Sequence, residues 1–134
     1  MTWAPHVTVA TIVERDGRYL MVYEEADGRQ VYNQPAGHLD PNESLTQAAL
    51  RETLEETGWE VKLTSLVGIN LYEAPSNGVT YLRTTFAAEP VSHDPERPLD
   101  TGILAAVWLT YEELLDRRDQ LRSPMTLQGI EDYR

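Results

Sequence analysis

The chain reads as an α+β fold, one domain in which strands come first, a strong helix interrupts them, and further strands and helices follow. Three observations predict it. The 134 residues suit one compact unit. β-Branched and aromatic runs recur between turn clusters containing Gly, Pro or Asn. Residues 43–58 are good helix formers bounded by start and stop signals. With 41% hydrophobic and 25% charged residues, the chain can bury a core.

Residues 7–13 form a β-branched run, and after the Asp16-Gly17 turn signal residues 19–23 are again apolar and aromatic, which predicts a hairpin. Asp27-Gly28 marks a second turn before a shorter extended piece, residues 30–34. That piece must end near Pro35, which has no amide hydrogen for a ladder. Three strands thus precede the helix, which starts at Glu43 or Ser44, just after Pro41, and ends at Thr57 with Gly58 as its left-handed cap. Two more strands are expected at residues 59–71 and 79–88, separated by the Pro75-Ser76-Asn77-Gly78 cluster. Residues 90–100, Pro-rich and acidic, read as an exposed loop of the kind that carries site residues. Residues 103–109 are a further buried strand. Thr110 with Glu113 makes a capping box for a helix to about Leu121, and Ser123-Pro124 restarts a short terminal helix.

The 11 Lys and Arg against 22 Asp and Glu give a net charge of −11. Such an excess repels nucleic-acid backbones, so broad nucleic-acid binding is not expected, and a phosphate ligand would need a metal ion as mediator. The absence of Cys removes disulfides, thiolate nucleophiles and cysteine metal sites, and fits a reducing cytoplasm. Residues 1–6 lack a signal-peptide pattern, and no run approaches the roughly 18 apolar residues of a membrane span. A soluble, cytoplasmic protein is expected. The oligomeric state is left open, with the monomer as starting expectation. His6, His38 and His93 lack metal-ligand spacing, so zinc is not expected.

Glu52, Glu55 and Glu56 share one helical face, where like charges destabilise the helix unless offset. Arg51, four positions before Glu55, is one offset. A divalent cation with hard oxygen ligands is another. Leu50 and Leu54 lie on roughly the opposite face and are expected to pack into the core, with Leu45, Ala48 and Ala49 toward the carboxylates.

The wider spacing is specific. Gly37, five residues, Glu43, seven residues, Arg51-Glu52, then Glu55-Glu56, one residue, and Gly58-Trp59 fill every fixed position of the pattern G-x5-E-x7-R-E-U-x-E-E-x-G-U over residues 37–59. On these residues the chain resembles the Nudix hydrolases. Thr53 departs from the bulky aliphatic residue the family prefers. Residues 5–10, 33–40 and 121–124 also resemble segments of a bacterial phosphatase branch of that family, and the likeness runs nearly end to end.

The resemblance implies an α/β/α sandwich around a mixed sheet, one Nudix domain over residues 1–134, and hydrolysis of phosphoanhydride bonds in nucleoside diphosphates linked to another group. Carried over position by position, Glu52, Glu55 and Glu56 become direct or water-mediated ligands of Mg2+, or of Mn2+, with the Gly37 carbonyl as a further ligand. Arg51 is implied to orient a helix carboxylate, and Glu43 and Gly58 to be structural. Relatives place the general base on this helix or in a later loop, where Asp100 is the candidate here and Glu96 stands behind it. From the residues themselves, Arg83 and Arg29 are candidate phosphate grips, although exposed strand arginines are common. Tyr32, Tyr72, Tyr81, Asn33 and Gln34 are available for ring recognition.

The branch resemblance implies release of phosphate from nucleoside tri- and diphosphates, and action on thiamine-related pyrimidine pyrophosphates. A MutT-like or ADP-ribose pyrophosphohydrolase is the alternative, and a non-catalytic nucleotide sensor is the alternative of another class. The −11 charge disfavours an RNA substrate.

Overall fold

Strand β1 (His6–Arg15) organises the molecule because both of its edges are used and one of them is shared. The computed structural model describes residues 2–134, so Met1, in the segment read for a signal pattern, lies outside it. The hairpin of β1 with β2 (Arg18–Ala26) forms, yet it is paired only at Glu14 with Tyr19 and Arg15 with Arg18. The strands then part. A short strand β4 (Ala36–His38), which the sequence did not announce, takes over that edge by pairing Thr8, Val9 and Ala10 of β1 with His38, Gly37 and Ala36. Four strands, not three, therefore precede the helix.

On its other edge β1 runs parallel to β6 (Thr80–His93), which pairs antiparallel with β5 (Trp59–Glu73). β2 pairs with β3 (Arg29–Asn33) and with β7 (Ile103–Thr110), both antiparallel. The result is a mixed seven-stranded sheet that splays into two halves where β2 leaves β1. β6 is longer than expected and contains Pro90, opposite Val61, where a register shift at Glu60/Val61 accommodates its missing N–H. The exposed loop is thus shorter than the 90–100 segment read from the sequence.

Helix α1 (Leu45–Thr57) covers one face, packing Ala48 and Ala49 on Val9 with Leu45, Leu63 and Phe86 around them. On the other face lie α2 (Tyr111–Asp116) and α3 (Pro124–Tyr133), burying Leu114 and Ile130 against Ile12, Tyr19 and Met21. This makes the α/β/α sandwich. α2 stops at Asp116 rather than near Leu121: a 3-10 turn (Arg118–Gln120) follows, and Leu121 leaves the helical region to bridge Tyr32 and enter the core.

The core face of α1 also differs from expectation. Leu50 is exposed and Leu54 half-buried, whereas Ala48, Ala49, Thr53 and Thr57 are buried. A helix this close to β1 and β4 admits small side chains at the contact, so the bulky leucines turn outward.

Candidate active site

The site is built outward from the two ends of α1. Ser44 accepts the Gln47 N–H at 3.1 Å while the Gln47 side chain accepts the Ser44 N–H at 2.9 Å, a reciprocal cap that satisfies two orphan donors. At the other end Gly58 has φ 75° and donates to the Leu54 carbonyl. A side chain there would also meet the Asp94 carbonyl at 2.8 Å, so both backbone conformation and space require glycine.

Between these caps Arg51 gathers the acids. Its Nε and Nη2 donate to the two Glu43 oxygens at 2.7 and 2.9 Å, and its Nη1 donates to Glu52 at 2.6 Å and Glu55 at 2.8 Å. Nη2 also reaches the His38 carbonyl at 3.0 Å, which ties the helix to β4. These bonds, led by those from Arg51, hold the Glu43 carboxyl below its ordinary range. Glu52 moves the other way because burial disfavours its charge more than Arg51 favours it.

Glu56 sits deeper. It accepts the Ala36 N–H at 2.9 Å, and burial pushes its pKa up to about 8 against that bond. Behind the acids Thr53 is fully buried and pairs its hydroxyl with Thr11 at 2.8 Å, while also donating to the Ala49 carbonyl. The residue that departs from the box pattern thus has a partner on β1 that matches it.

Gly37 lies where β4 meets these carboxylates. A Cβ at this position would overlap the carboxyl carbon and both oxygens of Glu52. Glycine is needed here for close approach, not for an unusual backbone conformation.

The 94–102 loop delivers Asp100. Its N–H donates to the Glu55 carbonyl at 3.1 Å, using an acceptor that the helix end leaves free. One carboxylate oxygen from each of Glu52, Glu55 and Asp100 lies within 4.8 Å of the others. Burial, then the neighbouring Glu55, raises the Asp100 pKa. Three carboxylates converging in this way are an all-oxygen donor set, which suits a hard divalent cation. Glu96 stays in the exposed loop and outside that group.

Glu52 and Glu56 also line a cavity of about 690 Å³, within the range of small-molecule sites. Tyr72 and Tyr81, cross-strand partners on β5 and β6, line it as well. Tyr32 does not; its ring lies 4.7 Å from that of Tyr23. His38 lies at the cavity with its ring 6.3 Å from Tyr81. Among the described residues, no histidine joins a metal-holding group.

Arg29 is exposed at the cavity. Arg83 is not the exposed strand arginine that composition suggests: only 7% of it is accessible, and it lines the cavity from beneath. Glu24 and Arg122 also line the cavity, and neither was a candidate site residue in the sequence. Arg122 donates to Glu24 at 2.8 Å across 98 residues of chain, and no local pattern announces such a pair.

The model of the NUDIX domain matches residues 3–128, which contain the whole box and its flanking strands. The chain belongs to the Nudix family. "Phosphatase NudJ" of Escherichia coli (strain K12) is 39% identical over 129 residues, covering 96% of this chain and 83% of that protein, and NudJ of Shigella sonnei (strain Ss046) matches to the same extent. A solved NUDIX hydrolase from Nitrosomonas europaea superposes with TM-score 0.95 at 48% identity, covering 97% of this chain and 88% of that one. A MutT NUDIX hydrolase from Burkholderia pseudomallei, at TM-score 0.78 and 22% identity over 98% of this chain and all of that one, shares the fold. This Nudix chain is accordingly an enzyme that hydrolyses pyrophosphate bonds, in a family that acts on small-molecule nucleotides and generally uses divalent metals. No helix among the described residues is long and apolar enough to cross a membrane.

Proposed function

We propose that this Nudix hydrolase is a Mg2+-dependent phosphatase of broad specificity, releasing phosphate from nucleoside tri- and diphosphates and from pyrimidine pyrophosphates of the thiamine-precursor type. The observation that carries the reading is the convergence of Glu52, Glu55 and Asp100, with Glu52 also lining a cavity sized for a small molecule. The NudJ relatives, named phosphatases, support the product assignment.

Glu52, Glu55 and Glu56, with the Gly37 carbonyl, would hold the ion. When bound, a divalent cation neutralises phosphate charge and acidifies water. The chain's own groups do the rest. Arg51 keeps Glu52 and Glu55 in register, braced in turn by Glu43. Asp100 is the proposed acceptor of the attacking water's proton, held beside Glu52 and Glu55 by its backbone bond to the helix. Tyr72 and Tyr81 offer the cavity's ring surfaces, and Arg29 a cation at its rim. The lack of Cys fits work in a reducing cytoplasm, and the monomer is the working unit of this reading.

The test is a product screen at fixed Mg2+ with nucleoside di- and triphosphates, ADP-ribose, a dinucleoside polyphosphate and thiamine pyrophosphate. Orthophosphate from several nucleotides, abolished by EDTA, is expected. Selective release of pyrophosphate or of paired monophosphates would instead show a pyrophosphohydrolase. Tight nucleotide binding without turnover would show a sensor.

A further inference from the structure

Arg83 lies near the start of β6, in ladder register with Thr8 of β1 and Asn70 of β5. Its guanidinium enters a protein interior at large cost unless its charge is met. No carboxylate lies within salt-bridge distance of it among the described residues. Its Nη2 donates instead to two neutral amide oxygens, Gln34 Oε1 at 2.6 Å and Asn33 Oδ1 at 3.5 Å.

Those amides are themselves fixed. Gln34 Nε2 donates to the Thr126 carbonyl at 2.5 Å, and Asn33 Oδ1 also accepts from the Thr126 hydroxyl at 3.1 Å and the Gln34 N–H at 2.9 Å. Asn33, Gln34 and Thr126 are all buried. The result is a rigid cradle that orients the guanidinium without neutralising it. Burial, and then the positive charge of Arg122, pull the Arg83 pKa down to about 10. The side chain therefore stays charged at neutral pH.

Of the two carboxylates whose charge acts on it, Glu56 and Glu24, the second is already bonded to Arg122 at 2.8 Å. Arg29, Arg83 and Arg122 all line one cavity in a chain that holds 11 cations against 22 acids. The same cavity is also lined by Glu24, Asp27, Asp40, Glu52 and Glu56, and Arg83 alone among the three arginines is buried.

From this geometry we propose that Arg83, held by Asn33 and Gln34, is an anion subsite that grips a phosphate group of the substrate independently of the metal-binding carboxylates. It deepens the phosphatase reading and rests on it for the identity of the substrate. The ligand class is a compound with at least two linked phosphates, one at the Glu52 end of the cavity and the next on the Arg83 guanidinium. A planar fork suits two phosphate oxygens at once, and a lysine at this position would not reproduce it.

The test separates binding from chemistry. In EDTA, wild-type protein should bind inorganic pyrophosphate by calorimetry and show a rise in Tm with ligand concentration. Arg83→Gln should weaken that binding at least tenfold, with Arg83→Lys intermediate. With Mg2+ and a nucleoside triphosphate, Arg83→Gln should raise KM at least tenfold and leave kcat within about threefold, a split that simple loosening of the fold would not give.

Wild-type protein that shows no pyrophosphate-dependent Tm rise in EDTA overturns the proposal, whether or not the Gln variant folds. So does unchanged pyrophosphate binding in Arg83→Gln with nucleotide hydrolysis intact, and in that case the phosphatase reading stands. Arg83-dependent pyrophosphate binding in a protein that turns over no nucleotide supports the subsite and removes the phosphatase reading.

Discussion

Replacing Gly37 by alanine adds one methyl group where β4 crosses the carboxylates of α1. The new carbon would overlap the Glu52 carboxyl group, while an ordinary contact needs about 3.5 Å. The backbone of β4 is fixed by its ladder with β1, so the side chain must yield. Glu52 can move, but only by leaving Arg51 Nη1, now 2.6 Å away, and the group it forms with Glu55 and Asp100. A retreat of about 1.4 Å is needed to restore an ordinary contact. Misplacement on that scale costs on the order of a hundredfold in rate, about 3 kcal/mol of transition-state stabilisation. The stability cost should stay below about 1 kcal/mol, because the displaced atoms are the end of a partly exposed side chain. The assay is kcat/KM for Mg2+-dependent phosphate release beside a urea unfolding curve. Activity within threefold of wild type in a folded Gly37→Ala protein would refute the reasoning, as would global unfolding.

Two further outcomes are expected. Thr53→Val should cost about 1–3 kcal/mol in urea unfolding, because it strands the buried Thr11 hydroxyl, whereas Thr11→Val/Thr53→Val should return most of that loss; a double variant as unstable as the sum of its singles would contradict the pairing. Metal-free protein should lose thermal stability as pH rises. The folded Glu56 pKa of about 8 lies above the ordinary value of 4.5, so its contribution is complete below the latter and is lost as pH climbs through the former. The fall in Tm should be largely absent in Glu56→Gln. A Tm that rises over this range, or an equal fall in the variant, would refute the assignment.

How much of this was legible in the sequence depended on how local the cause was. The caps of α1, the carboxylate spacing and the Ser123-Pro124 helix start are set within a few residues, and the chain folds there as read. β4 has no signal in the sequence because three residues around Gly37 carry no periodicity of their own and pair only because β2 has left the edge of β1 vacant. Leu50 points outward although bulk ordinarily faces a core, because close packing on β1 selects Ala48, Ala49 and Thr53. Asp100 could be nominated from the resemblance and its loop, but its contact with Glu55 required the fold. Arg83 has the composition of an exposed strand arginine, and its burial follows from register across three strands. The pairing of Arg122 with Glu24 has no local signal, being made only by the return of the chain after α2.

The loop that carries Asp100 is pinned at three points: Asp94 N–H to the Gly58 carbonyl, Asp100 N–H to the Glu55 carbonyl, and the Gly102 carbonyl to the Glu25 N–H. Between the first two pins, residues 95–99 are bound to the rest of the molecule by neither strand nor helix. The acid's position and the length of the loop are thereby uncoupled. Doubling such a span costs only about 0.6 kcal/mol of closure entropy. A longer insert could therefore enter this arc beside the Glu52, Glu55 and Asp100 carboxylates while Asp100 stays anchored, so the arc can change in length and chemistry without moving the acid it carries.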